Sequence, residues 1–207
     1  MTIRTKLGLA ALGLALMLTP PLTRAADEGF KPLFNGKNLT GWVTPDIPDL
    51  FKVEDGVIVG KTDGTLKKNE FLVTEASYGD FVLKVKVKFL SGNSGIQFRS
   101  KRAPNGAVSG PQADVANGYW GLLYEERGRG ILERYPEDKA KELIKDKDWN
   151  EFVITAKGDQ VTIDINGTRV IDRTDPKFDK TGIIALQVHV GPVTEVYFKD
   201  IEIKALD

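Results

Sequence analysis

The sequence predicts an all-β domain, an antiparallel β-sandwich or jelly roll with one short helix. Three observations predict it. Apolar and polar residues alternate with period two in many short segments. Turn-forming residues separate those segments at intervals of roughly 8–12 residues. Only one segment has the composition and charge order of a helix. At 207 residues the chain suits one domain with a sizeable core and is short for two.

Taken in order, Phe51-Lys-Val53 and Val57-Ile-Val59 flank Glu54-Asp-Gly56, a hairpin signal. Phe81-Val-Leu-Lys-Val-Lys-Val-Lys-Phe89 is the clearest strand, with Leu83, Val85, Val87 and Phe89 on one side and Lys84, Lys86 and Lys88 expected to face water. Pro136 to Lys145 predicts the helix: a proline opens it, acids fill its first turn and lysines lie toward its end. Gln160–Ile165 and Thr168–Asp172 flank Asn166-Gly167, a dipeptide that accepts the positive φ angles of a tight antiparallel turn. Gly182–Val190 and Glu195–Ile203 supply two further strands. Trp42 and Trp149 stand at strand entrances and read as structural.

The first 25 residues read as a secretory signal rather than as part of the fold. A basic segment carrying Arg4 and Lys6 precedes the apolar run Leu7–Leu18, and Thr19–Ala25 gives a breaker and small residues, with cleavage expected after Ala25. The run is too short to span a bilayer as a stable helix, and no second candidate span follows. Residues 26–207 are therefore expected to form a single exported domain, periplasmic or secreted. The 29 basic and 29 acidic residues balance, and cleavage removes three positive charges and no negative one. Such a faintly acidic domain has no field to attract nucleic acid. Without cysteine it has no disulfide and no thiol for a lipid anchor.

Three segments place amide and charged groups where a solvated face normally carries lysine. Gln97 and Arg99 oppose Ile96 and Phe98; Gln112 and Asp114 oppose Ala113 and Val115; Gln187 and His189, the only histidine, oppose Leu186, Val188 and Val190. If these strands share a sheet, they form one hydrogen-bonding surface suited to a sugar, with Asn93 and Ser94 on an adjoining glycine-flanked loop. Asn117 to Arg127 adds Tyr119, Trp120 and Tyr124 beside Glu125, Glu126 and Arg127. Trp120 and Tyr124 suit either a sugar face or the core. The substrate-binding candidates are thus Asn93, Ser94, Gln97, Arg99, Gln112, Trp120, Tyr124, Arg127 and Gln187. No phosphate-binding glycine loop, zinc spacing or Gly-x-Ser-x-Gly elbow occurs, so no cofactor or metal is expected. The Glu-x-Asp-x-Glu strand of sandwich-type endoglucanases is absent too.

Six ordered motifs resemble the 3-keto-disaccharide hydrolase domain family, formerly a domain of unknown function. They are Leu33–Trp42, Phe51–Gly60, Tyr78–Phe81, Gly92–Ser100, Asp148–Glu151 and Ile183–His189, together covering roughly Phe30 to Leu206. The resemblance implies a concanavalin-like jelly roll and action on glycosides oxidised at C3. One departure stands at Pro111-Gln-Ala-Asp114, where many members carry Tyr-Glu-x-Gln: Gln112 replaces the glutamate and leaves Asp114 to take over its work.

A C3 ketone acidifies the C2 proton and places the C1 leaving group β to the carbonyl. The chemistry requires a base, donors for an enolate oxygen and an acid for the leaving group. Imidazole is the side chain that ordinarily titrates near neutrality, which makes His189 the expected base. Arg99 and Gln97 are expected to hold the oxyanion or hydroxyls, and Asp114 or Glu125 to orient His189 or protonate the leaving oxygen. The alternative reading is a non-catalytic carbohydrate-binding module using the same face.

Overall fold

A computed structural model of the protein describes residues 29–206. The expected signal segment and its cleavage point at Ala25 lie outside the described residues. The strands in chain order are β1 (Lys31–Pro32), β2 (Trp42–Val43), β3 (Phe51–Glu54), β4 (Val57–Thr62) and β5 (Glu70–Thr74). Next come β6 (Phe81–Ser91), β7 (Ser94–Arg102), β8 (Val108–Val115), β9 (Leu122–Glu126) and β10 (Gly130–Arg134). Helix α1 (Glu137–Leu143) follows, then β11 (Trp149–Lys157), β12 (Gln160–Ile165), β13 (Thr168–Thr174), β14 (Ile183–Val188) and β15 (Thr194–Ala205).

They form two antiparallel sheets. The first runs β13-β12-β11-β6-β15-β4-β3, with β1 added along β15; the second runs β10-β9-β8-β7-β14-β5-β2. Sequential hairpins (β3-β4, β7 to β10, β11 to β13) are joined by pairings between strands distant in the chain, β6 with β11 and β15, β15 with β4, and β14 with β5 and β7, so this is a β-sandwich of the jelly-roll type rather than a meander. Among the described residues no helix is long and apolar enough to cross a membrane.

Local chemistry sets the tight turns. Asp55-Gly56 and Asn166-Gly167 both adopt positive φ angles, 47° and 78° in the first pair and 49° and 81° in the second, as two-residue antiparallel hairpins require. Asn166 does more than turn the chain: its amide donates to Leu143 O at 2.8 Å and to Asn150 Oδ1 at 2.8 Å. The hairpin thereby holds the end of α1.

The two inner faces interdigitate as one core. From β6, Leu83, Val85 and Val87 are fully enclosed, facing Ile96 and Phe98 of β7, Ala113 of β8 and Leu186 of β14 within the same cluster. Trp120 belongs to this core, edge-on to Phe89 at 5.7 Å between ring centroids and 6.2 Å from Phe152. Its expected role on a sugar face is corrected accordingly: the ring is spent on packing, and Nε1 donates to Asn117 Oδ1 at 3.3 Å. Trp42 is likewise buried, donating to Leu33 O at 2.8 Å. Lys84, Lys86 and Lys88 face outward but are half-buried, because their stems lie along neighbouring rings and acids. Lys88 sits 4.5 Å over Tyr197 and 5.2 Å over Trp149, and Lys86 pairs with Asp200 at 2.8 Å.

Candidate functional site

The outer face of the second sheet carries the site. β8, β7 and β14 lie side by side in it, so the three polar segments singled out in the sequence come together. Their register sets Gln97 opposite both Gln112 and Ala185, and Gly95 opposite Asp114. Gln187 and His189 follow the same outward phase as Ala185, while Leu186 and Val188 point into the core.

A directed chain of hydrogen bonds crosses these strands. Ser100 Oγ donates to Gln97 Oε1 at 2.7 Å, Gln97 Nε2 donates to Gln112 Oε1 at 3.0 Å, and Gln112 Nε2 donates to Asp114 Oδ1. Each donation fixes the orientation of the next amide, so the chain ends with a donor on the carboxylate. Gln112 lies flat over Gly95, where an added Cβ would come within 2.3 Å of Gln112 Cδ. The glycine therefore makes room for the site rather than flexing a loop.

Asp114 is only 6% exposed. Burial pushes its carboxyl up to about 7; the Gln112 hydrogen bond opposes that, the negative charge of Glu126 adds to it, and Arg134 opposes it. Glu126 reaches across the face, accepting from Asn69 Nδ2 at 3.3 Å and Gln187 Nε2 at 3.4 Å. Gln187 Oε1 is buried with no donor among the described residues. His189 has Nδ1 2.6 Å from Val190 O, so that nitrogen must donate and Nε2 is the basic position of the neutral ring. Its backbone is anchored by His189 N to Asn93 O at 3.2 Å and Val190 N to Asn69 Oδ1 at 3.0 Å.

These groups surround a cavity of about 430 Å³. Its polar lining is Asn69, Asn93, Gln112, Asp114, Glu126 and His189, and its apolar and aromatic lining is Tyr119, Leu122, Tyr124 and Ile131. A cavity of similar volume, about 460 Å³, lies on the opposite sheet among Lys86, Lys145, Asp148, Trp149, Glu151, Asn166 and Lys199. Lys199 lies 4.1 Å over the Trp149 ring and Lys86 is already paired with Asp200, so that surface is a ladder of mutual contacts.

Of the sequence candidates, the cavity gathers Asn93, Gln112, Asp114, Tyr124 and His189. Gln97 and Gln187 are fully buried in contact with lining residues, Gln112 and Glu126 respectively, and Ser94 is buried with its hydroxyl donating to Gln187 O at 2.6 Å. Those three support the site without reaching its surface.

Arg99 is elsewhere. Between Gln97 and Lys101 β7 carries one residue more than β8, and Arg99 in this bulge has φ +45°. Its guanidinium therefore leaves the polar wall for one end of the sandwich, donating to Gly79 O at 2.9 Å and Gly158 O at 2.8 Å and pairing with Asp80. Glu125 is corrected too. It alternates away from Tyr124 and Glu126 and is held by Arg129 at 2.7 Å, an interaction that keeps its carboxyl below the usual range. Arg127 is exposed in the β9–β10 turn and does not line the cavity.

The sequence placed Tyr119 and Glu126 beside the candidates without making them site residues, and Asn69, Leu122 and Ile131 were not singled out at all. Alternation along β9 carries a signal for Glu126, which shares a phase with Tyr124. Asn69 has none, standing 57 positions before its partner Glu126.

Residues 29–204 match the model of the 3-keto-alpha-glucoside-1,2-lyase-like domain. The chain belongs to this family. A provisionally assigned glycosyl hydrolase from Parabacteroides distasonis superposes with a TM-score of 0.63 at 27% identity, covering 87% of this chain and 95% of that one. The carbohydrate-binding module CBM66 from Bacillus subtilis gives a TM-score of 0.60 at 19% identity, over 80% of this chain and 96% of the module. The Bacillus licheniformis β-glucanase also gives 0.60, at 12% identity, over 86% and 97%. These last two share the fold alone. No curated protein sequence matches the chain.

Proposed function

We propose that the protein is an exported enzyme that cleaves 3-keto-glycosides in the cavity of the second sheet. The observation that carries this reading is the joint presence there of an imidazole with a free basic nitrogen and of a carboxyl that holds its proton up to about pH 7. Elimination needs that pairing of base and acid. Family membership over nearly all the described residues and the likeness to a glycosyl hydrolase assignment support a glycoside as substrate.

His189 Nε2 removes the C2 proton, and the electron pair enters the C3 carbonyl as an enolate. The enolate then reforms the ketone, the C1–C2 double bond forms and the C1–O bond breaks. Asp114 gives its proton to the departing oxygen. Water adds to C1 and C2 regains a proton, which completes a net hydrolysis. Donors for the enolate come from the amides of Asn93 and Gln112, since Arg99 is committed elsewhere. Tyr119 and Tyr124 offer ring faces to the sugar.

The test is incubation with matched native and 3-keto glycosides, followed by mass spectrometry. Turnover is expected only of the oxidised sugars, with His189→Ala reducing it by roughly 100-fold or more. Full turnover by His189→Ala sinks the base assignment. The other reading is a carbohydrate-binding module, favoured by the open apolar rim, where Tyr119 is 43% and Ile131 56% exposed. That reading expects Tyr124→Ala to abolish sugar binding, with no product from any glycoside.

A further inference from the structure

We propose that Glu126 is a second catalytic carboxylate, which works with Asp114 as a pair and takes the proton of the water that adds to C1. This rests on the cleavage of 3-keto-glycosides proposed above. The argument starts from what holds each acid of the Glu125-Glu126 dipeptide. Glu125 is bound by a guanidinium, with Arg129 Nε and Nη2 donating to its two oxygens at 2.7 Å each and the Arg129 backbone N–H adding a third bond at 2.8 Å. A carboxylate so held has no reason to take up a proton near neutrality.

Among the described residues Glu126 has neutral partners only. Asn69, from the residue before β5, serves one oxygen, and Gln187 of β14 serves the other. Two amides brought from distant parts of the chain fix the orientation of the carboxylate without supplying a positive charge. They leave it facing the same cavity as Asp114. The buried oxygen of Gln187 has no donor among the described residues, so the polar network around Glu126 is open where that of Glu125 is closed.

The chemistry needs such a group. When Asp114 has given its proton to the leaving oxygen, the site has lost one proton. When water forms its bond to C1, it must release one, and protonated His189 returns the C2 proton. Glu126 accepts the proton from water and passes it through the cavity solvent to Asp114, and both carboxyls return to their starting state. The pair then holds one proton at the start of every turnover.

Other groups face Asp114 besides Glu126. Arg134 of β10 lowers its proton affinity, Gln112 donates to it, and His189, Tyr119 and Tyr124 share the cavity lining. Glu126 is a negative charge raising that affinity, and burial is the larger cause.

Two measurements on the full-length protein separate this inference from the functional reading. In a carboxyl ¹³C NMR titration, Glu126→Gln is expected to lower the titration midpoint of Asp114 relative to wild type. An unchanged midpoint overturns the pairing, whether or not any glycoside is turned over. In turnover of a 3-keto-glucoside, Glu126→Gln is expected to accumulate the unsaturated elimination product while hydration slows by roughly 100-fold. Hydration at the wild-type rate overturns the assignment. Glu126→Asp keeps the charge and shortens the reach; it is expected to retain the Asp114 midpoint yet slow hydration, a combination that a merely structural glutamate would not give. If wild-type protein transforms no 3-keto-glycoside, the functional reading fails, and the titration still decides whether the two carboxyls are paired.

Discussion

β7 takes part in two buried polar clusters, and they differ in what they leave unsatisfied. At one, Arg99 is fully enclosed and spreads its donors over three backbone carbonyls and the Asp80 carboxylate. Asp80 in turn accepts from Gly158 N–H at 3.1 Å. Every donor of the enclosed guanidinium meets a protein acceptor, although Asp80 itself keeps part of its carboxylate in solvent, and the cluster ties the β11–β12 turn and the start of β6 to the second sheet. At the other, Ser100 begins a relay through Gln97 and Gln112 that ends on a carboxylate lining a cavity, and on the same face the Gln187 side-chain oxygen has no donor among the described residues. Burial and polarity alone therefore do not mark a site. A polar network marks one when its valences run out toward open space.

The largest effect expected from this comparison is on the closed cluster. Arg99→Met keeps most of the side-chain volume and removes the charge, stranding Asp80 and three carbonyls. It is expected to cost about 3–5 kcal/mol in a urea unfolding experiment, while the folded fraction binds sugar as wild type does. Retained stability with lost sugar binding would return Arg99 to the site.

Next is the open cluster, where Asp114→Asn is expected to act in the opposite direction on stability. A carboxyl raised from 3.8 when unfolded to about 7 when folded binds its proton more tightly in the native state. Its contribution is therefore fully present below about pH 4 and is lost as pH rises toward 7. The shift corresponds to about 4 kcal/mol across that window. Stability measured at pH 4 and pH 8 should thus fall less in Asp114→Asn than in wild type, while turnover of a 3-keto-glycoside is lost. Parallel pH profiles would show that Asp114 is not held protonated by the fold.

The smallest expected effect comes from Gly95→Ala, which touches no ligand. The new methyl must displace Gln112, and with it the donor to Asp114. Affinity for a bound sugar should fall by roughly tenfold, about 1.4 kcal/mol, as read by calorimetry. Unchanged affinity would mean that the relay does not shape the cavity.

Much of this architecture was legible in the residues. The alternation of β6, the hairpins at Asp55-Gly56 and Asn166-Gly167, and the lysine-poor strands carrying Gln112, Asp114, Gln187 and His189 were all readable one segment at a time. Arg99 was misleading because its alternation is broken by a bulge, and an extra residue in a strand leaves no mark in a period-two pattern. Trp120 was undecided until its neighbours Phe89 and Phe152 were known. Glu125 and Glu126 are adjacent and chemically alike, so only the phase of β9 separates an acid bound to Arg129 from one facing the cavity.

By itself the sequence determined the strand content, the tight turns and which segments carry hydrogen-bonding groups, because these follow from local periodicity, φ preferences and composition, while the resemblance to the family rested on six ordered motifs. Only the tertiary structure decided which polar groups meet. Asn69, Glu126 and Gln187 come from three strand regions far apart in the chain, and their convergence depends on sheet order. The proton affinity of Asp114 was decided there too, since it is set by burial and by the charges of β9 and β10 around it.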